Sequence, residues 1–196
     1  MTEQALDLDG NTYAYQPSAF GAAWIFRLTP SGLAWENRTR SGLVPLRDIS
    51  KVRMSYRPAT MQNNRFVTRL WHAGGPPLTI ISTSWKGLMR QEANSASYSA
   101  FVRELHSRIA GATAQTTYEA GIHPLVYGFG VLFGGACVLA IIGLELRAAA
   151  SGAWSAAAVL FGFLVFFLWS GVAFFRRNRP HRYRPDDPPR LLLPES

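Results

Sequence analysis

The chain has a single cysteine, Cys137, so it can close no internal disulfide, and no Cys/His cluster has the spacing of a structural zinc site. Cys137 lies within an apolar run and reads as a buried, inert thiol. Lysine is nearly missing as well: of 20 basic residues, only Lys51 and Lys86 are not arginine. Asp48 is the only aspartate between residues 10 and 185, and a strand-start or turn role explains it. The histidines His72, His106, His123 and His181 are scattered. His72 shares a strand phase with Phe66 and Leu70 and reads as structural, His106 is expected on the polar side of a helix, and His123 at a membrane edge. No Ser/His/Asp, Cys/His or carboxylate pair emerges, nor a Gly-rich loop followed by Lys-Ser or Lys-Thr. No catalytic, metal-binding or cofactor-binding residue is therefore assigned. Met1–Phe20 carries Glu3, Asp7 and Asp9 without an apolar core and is not expected to act as a secretory signal.

What the chain does contain is two long charge-free runs. Pro124–Leu144 and Ala156–Phe175 hold 21 and 20 residues without a charged side chain. As helices, each would span about 30 Å, the thickness of a bilayer hydrocarbon core. Across 124–175 only Glu145 and Arg147 are charged. The link Glu145–Ser155 is short, which predicts an antiparallel transmembrane hairpin with both flanks on one side. Arg176, Arg177, Arg179, Arg182 and Arg184 crowd behind the second run against one arginine in the link. Basic residues near helix ends stay cytoplasmic, so both termini are expected inside a bacterial inner (plasma) membrane. Gly130 and Gly134, Ala136 and Ala140, and Ala158 and Gly162 have helix-packing spacing. They would serve packing of the hairpin on itself or a homo-oligomer. Neither run carries an ionisable group in mid-membrane or an interruption, so transport by this chain alone is not expected. The basic, proline-rich tail at 176–196 is expected to be disordered, and its Leu191–Leu193 end is too short a run to establish a docking motif.

Ahead of the runs the pattern changes to short alternating segments with turn punctuation. Strands are predicted at 24–28, 33–38, 43–46, 50–57, 65–72 and 78–83. Tyr98, Phe101, Val102, Leu105 and Ile109 then recur at helical spacing and predict an amphipathic helix over 96–111, with Ser95 and Ser97 as caps. Strands first and one helix last is an α+β plan. The segment WIFRLTPSGLAWENRTRSGLVPLRDISKV resembles bacterial PH-like domains, which often lie beside transmembrane segments. The matching pieces are an aromatic strand ending in Leu28-Thr29, a turn into Leu33, and Val44-Pro45-Leu46 followed by Asp48, Ile49 and Val52. The resemblance covers about residues 20–112. It implies an antiparallel β-barrel or sheet capped by a C-terminal helix, with 1–19 as an arm or extra strand and 113–123 as a linker. The family has seven strands, and residues 11–20 are the candidate for the one not counted above. It has no shared catalytic residues, so none is carried over. The basic pattern with which its phosphoinositide-binding members surround their first hairpin is missing at Thr29-Pro30-Ser31-Gly32.

The net charge of +8 favours polyanionic partners. Lys51, Arg53 and Arg57 share one strand face, and Arg65, Arg69 and Trp71 share a face of the next. If those faces coincide, cations oppose one another, which is destabilising unless an anion intervenes. These six residues form the candidate anion or partner site. The reading is a membrane-anchored binding or scaffold protein whose basic PH-like domain contacts anionic lipid headgroups or another membrane protein. Two alternatives stay open: an enzyme or enzyme subunit acting on a membrane lipid or envelope component, and nucleic-acid binding through the basic face and Trp71.

Overall fold

The computed structural model describes residues 10–18, 20–58, 64–85, 91–112 and 115–194. The chain divides into two compact units. Residues 1–121 together with 181–196 form a sheet unit, and residues 122–180 form a helix unit.

The sheet unit is α+β. A four-stranded antiparallel sheet runs in the order β1 (Thr12–Tyr15), β2 (Trp24–Thr29), β3 (Gly32–Glu36), β4 (Ser41–Val44). The strand β1 occupies the stretch where a further strand was expected. A single turn of 3₁₀ helix, Leu46–Asp48, leads into the second sheet. There β5 (Ile49–Pro58), β6 (Asn64–His72) and β7 (Leu78–Ile81) pair antiparallel. A small hairpin of β8 (Thr83–Trp85) and β9 (Gln91–Ala93) precedes the helix α1 (Ser95–Ala112). The second sheet is completed by β10 (Thr117–Ala120), parallel to β5, and β11 (His181–Arg182), antiparallel to β10.

Alternation explains the strands. On β5, Val52, Met54 and Tyr56 are buried while Lys51 and Arg57 point to the other face. A register shift between Ile49 and Lys51 marks a bulge, and this lets Ile49, which would otherwise share the Lys51 face, be buried at 1% exposure. The stripe Tyr98, Phe101, Val102, Leu105 and Ile109 of α1 is buried as its spacing requires. Phe101 lies against Tyr13 and Phe26 of the first sheet (ring centroids 5.7 and 6.5 Å), and the Tyr98 hydroxyl meets the Thr68 hydroxyl of β6 at 2.7 Å. One helix thus closes the space that both sheets line. Gly32 opens β3 at φ +145°, where an added Cβ would lie 2.3 Å from the Val44 carbonyl oxygen. Gly32→Ala should therefore destabilise the sheet unit by about 3 kcal/mol, read as a lowered thermal midpoint in near-ultraviolet circular dichroism.

Three readings of the sequence are corrected here. The segment 113–123 is not a plain linker, because Thr117–Ala120 is an interior strand of the second sheet. The tail is ordered over residues 176–194: β11 pairs with β10, Leu192 and Leu193 are buried at 1% and 6% exposure, and the Ser99 hydroxyl donates to the Pro194 carbonyl at 3.2 Å. His106 is not on a polar helix face. It is wholly buried, because the tail's Tyr183 covers that side of α1.

The helix unit holds α2 (Pro124–Ala150) and α3 (Trp154–Arg177), each long and apolar enough to cross a membrane. Helix α2 continues through Glu145–Ala150, where a link was expected, leaving only residues 151–153 between the helices. His123 caps α2, its Nδ1 accepting from the Leu125 N–H. The two helices pack so that Tyr127 meets Phe175, with ring centroids 5.6 Å apart.

Candidate functional site

The six residues singled out from the sequence do meet. The register of β5 with β6 sets Lys51 opposite Trp71, Arg53 opposite Arg69, and Arg57 opposite Arg65. Cross-strand partners project from the same face, so all six line one surface of the second sheet. Strand β11 adds Arg182 to that face, in register with Glu119 of β10, and Glu119 is itself in register with Arg53. The central row therefore reads Arg182, Glu119, Arg53, Arg69 across four strands.

Glu119 is the residue that the sequence reading missed. Its carboxylate takes the Arg53 Nε at 3.0 Å and pairs a second time with the same guanidinium, while the Lys51 ammonium lies 3.5 Å from its other oxygen. Burial pushes the Glu119 carboxyl up, but the Arg53 hydrogen bonds and the charges of Arg53 and Lys51 outweigh it and hold the group below its ordinary value. The signal was present: Glu119 is the only acid between Glu104 and Glu145.

One carboxylate does not balance the face. Arg57 and Arg69 have no carboxylate partner among the described residues, and Arg65 spends its Nε on the Thr83 hydroxyl at 3.2 Å. The Arg69 guanidinium is the centre of the excess. Its pKa is lowered first by burial and then by the charges of Arg57 and Arg53, although an arginine so placed stays charged. Trp71 sits within 5.7 Å of the Lys51 ammonium and 5.6 Å of the Arg53 guanidinium, so its ring already serves as a cation platform. Among the described residues, six cations thus share this face with one carboxylate, and a further anion would lower the energy of the face.

The arginines behind the second apolar run divide between the units. Arg176 and Arg177 form the last turn of α3, where cations complement the helix dipole, and Arg179 follows in the same unit. Arg182 and Arg184 belong to the sheet unit. The small residues divide as well. A Cβ on Gly130 would lie 3.2 Å from the Phe175 ring and one on Gly134 3.8 Å, so this pair lets α2 approach α3 closely. Ala158 and Gly162 are exposed, and nothing lies within 4 Å of a Cβ placed on Gly162.

The histidines do not converge. His72 accepts at Nδ1 from the Gly74 N–H at 3.1 Å, and His106 is bonded within the core. Among the described residues, no three His, Cys, Asp or Glu side chains are grouped to hold a metal ion. Comparison with models of protein families, with curated proteins and with solved structures finds no match for this chain.

Proposed function

We propose that the chain is a membrane-anchored binding module in which two transmembrane helices hold a PH-like domain at the cytoplasmic face, and the basic face of the domain engages anionic lipid headgroups. The observation that carries this reading is the like-charge register Arg53–Arg69 and Arg57–Arg65, with Glu119 as the one carboxylate among them. Proximity along the chain supports it. Glu119 lies five residues before α2 begins, and Arg182 five residues after α3 ends. A five-residue lead reaches no more than ~18 Å, so the chain alone tethers Glu119 and Arg182 within that distance of the two helix ends.

The hairpin topology has support from the fold. If α2 and α3 each cross the bilayer, the strand that enters them and the strand that leaves them must share one side, because β10 and β11 are hydrogen-bonded neighbours. The arginine excess behind α3 puts that side in the cytoplasm of a bacterial inner membrane. The run of strands β1 to β9 followed by α1 is in keeping with the PH-like plan, from which the chain departs by adding β10, parallel to β5, and β11 after the helix, and the reading requires no catalytic group.

Hydrogen exchange on the full chain in nanodiscs tests the proposal. Residues 51–57 and 65–71 should exchange more slowly in discs containing phosphatidylglycerol than in neutral phosphatidylcholine. The difference should vanish at ~1 M salt, where screening acts over ~3 Å. Each cation near an anionic surface contributes ~1 kcal/mol, so the triple change Arg57→Glu, Arg65→Glu and Arg69→Glu should lose roughly 100-fold in lipid preference. Glu119→Gln should raise it about fivefold, by freeing Lys51 and Arg53. Equal exchange in both lipid compositions would remove the basis of the reading.

A further inference from the structure

The basic face holds one polar group that its charges do not account for. Ser55 stands between Arg53 and Arg57 on β5 and points the same way, since alternation turns Met54 and Tyr56 into the core. It is in register with Val67 of β6, midway between the rows Arg53–Arg69 and Arg57–Arg65. Two residues of strand, about 7 Å, separate it from each row, and an arginine side chain spans that distance. Ser55 is 7% exposed and Val67 4%. Buried hydroxyls are nearly always hydrogen-bonded, yet that of Ser55 has no hydrogen-bond partner among the described residues. Neither is it closed off, because the Tyr118 hydroxyl is the only side-chain group among the described residues that is both sealed and unpaired. The hydroxyls nearby are in use: Ser50 donates to the Trp71 carbonyl at 3.3 Å, and Thr83 accepts from Arg65 at 3.2 Å. Ser55 keeps an open, unused donor at the bottom of a cationic face.

The cations around it lean unequally. Arg53 is drawn away to Glu119, which takes two of its nitrogens. Burial first lowers the Arg69 pKa, then the charge of Arg57, and only then that of Arg53, its direct cross-strand partner. The Arg57 guanidinium therefore reaches back across the Ser55 row toward Arg69. Two guanidinium groups without a carboxylate partner among the described residues thus converge above a hydroxyl that lacks an acceptor. A planar carboxylate offers two oxygens and can satisfy two of these three groups. A tetrahedral phosphate offers a further oxygen, so both guanidinium forks and the hydroxyl can be met at once. Beyond Ser55 the row continues through buried Val67 to half-buried Ile81, an apolar floor for the body of an ester.

We propose that the basic face has one discrete seat for a phosphate group, in which Arg57 and Arg69 bind its oxygens from two sides and the Ser55 hydroxyl donates from below. The proposal rests on the lipid reading for the source of the phosphate, though not for the seat itself. It makes that reading specific, with one phosphate per chain in place of attraction spread over the face. The phosphate of a lipid headgroup and that of a soluble ester share the chemistry recognised here.

The test uses the full chain and two variants that conserve its charge, Ser55→Ala and Arg69→Lys. Each is titrated calorimetrically in neutral detergent with glycerol 3-phosphate, and separately in micelles doped with phosphatidylglycerol. Saturable binding of one phosphate per chain is expected, weakened about tenfold by each variant, the worth of one hydrogen bond to a charged group. The thermal midpoint of phosphate-free Ser55→Ala should match that of the wild type, because the lost hydroxyl bonded to no described residue; a structural serine would lower it. Binding of glycerol 3-phosphate assigns a soluble source, and binding of the doped lipid alone, weakened by both variants, assigns the headgroup. No saturable binding of either probe, or equal binding by the wild type and both variants, would overturn the seat. Nanodiscs separate the two failures. Slower exchange in anionic discs, identical in wild type and Ser55→Ala, sinks the seat and leaves the lipid reading. Saturable ester binding with no exchange difference between lipids keeps the seat and removes the lipid reading.

Discussion

Deleting residues 181–196 is expected to unfold the sheet unit, although the cut touches neither long helix and none of the strands from β1 to β10. The deletion removes Leu192 and Leu193, buried at 1% and 6% exposure, each contributing ~1.5–3 kcal/mol. It also strips the edge of β10, where the Tyr183 N–H donates to the Tyr118 carbonyl at 3.2 Å, and it takes the Tyr183 hydroxyl from the His106 ring. Each polar group left buried and unpaired costs a further ~1–3 kcal/mol. The sum, roughly 6 kcal/mol, is comparable with the whole stability of an ordinary domain. The measurement is the thermal midpoint of the truncated and full chains in the same detergent. Midpoints within a degree or two of each other would show that the tail merely rests on the surface. The complementary deletion should behave in the opposite way. Ala120 and His181 are cross-strand neighbours, so joining them through a short turn, with 122–180 removed, should leave a folded sheet unit that needs no detergent.

The same geometry explains why the sheet unit cannot be finished early in synthesis. Strand β10 pairs parallel with β5 over a long sequence separation, and β11 arrives only after both apolar helices have been made. Non-local pairing of this kind is slow to form, and until the tail docks the β10 edge is left open. A fragment ending before Thr117 lacks two of the five strands of the second sheet. Binding experiments therefore belong on the full chain or on the joined version.

How far the sequence was legible depended on whether a segment carries its own pattern. The alternation in Lys51–Arg57 and Arg65–Trp71 fixed the outward face correctly, and with it the charge opposition that the register then realises. The helix stripe from Tyr98 to Ile109 was legible for the same reason. Illegible were the segments whose form depends on a distant partner. Thr117–Ala120 is too short to announce itself, and it becomes a strand because β5 offers it an edge. The tail has the composition of a solvated chain. Its prolines, however, restrict the unfolded state and so lower the entropy lost on docking, while Tyr183, Leu192 and Leu193 supply the anchors. His106 was misplaced for the same cause: helix spacing alone cannot show that a second surface will cover its flank. Glu119 was missed because nothing in the local sequence ties it to Lys51 and Arg53, and only the parallel pairing of β10 with β5 does so.

Acidification from pH 7 to pH 5 is expected to destabilise the sheet unit through His106. The Val102 carbonyl can only accept, so the imidazole carries its proton on Nδ1, 2.6 Å from that oxygen, and its Nε2 accepts from the Tyr183 hydroxyl at 2.8 Å. The Tyr118 and Tyr183 rings pack against it and against each other, with centroids 5.5 and 5.8 Å from the imidazole. Burial lowers the pKa from 6.5 to about 4, and the Val102 hydrogen bond offsets only part of that fall. The unfolded chain therefore takes up a proton near pH 6.5 while the folded one resists until about pH 4, so stability is complete above the first value and lost as pH falls toward the second. At ~1.4 kcal/mol per pH unit, the loss is ~2 kcal/mol by pH 5 and ~3 kcal/mol by pH 4. Protonation would also replace the Nε2 acceptor by a donor, opposing the Tyr183 hydroxyl that holds the tail. Glu119 contributes with the opposite charge and in a lower window, because a carboxyl held below its ordinary 4.5 loses its ion pairs only as pH falls past that value. Thermal midpoints between pH 7 and pH 5 thus report His106 rather than Glu119. His106→Gln should be less stable at pH 7 yet nearly flat across this range, whereas parallel slopes for wild type and variant would place the acid sensitivity elsewhere.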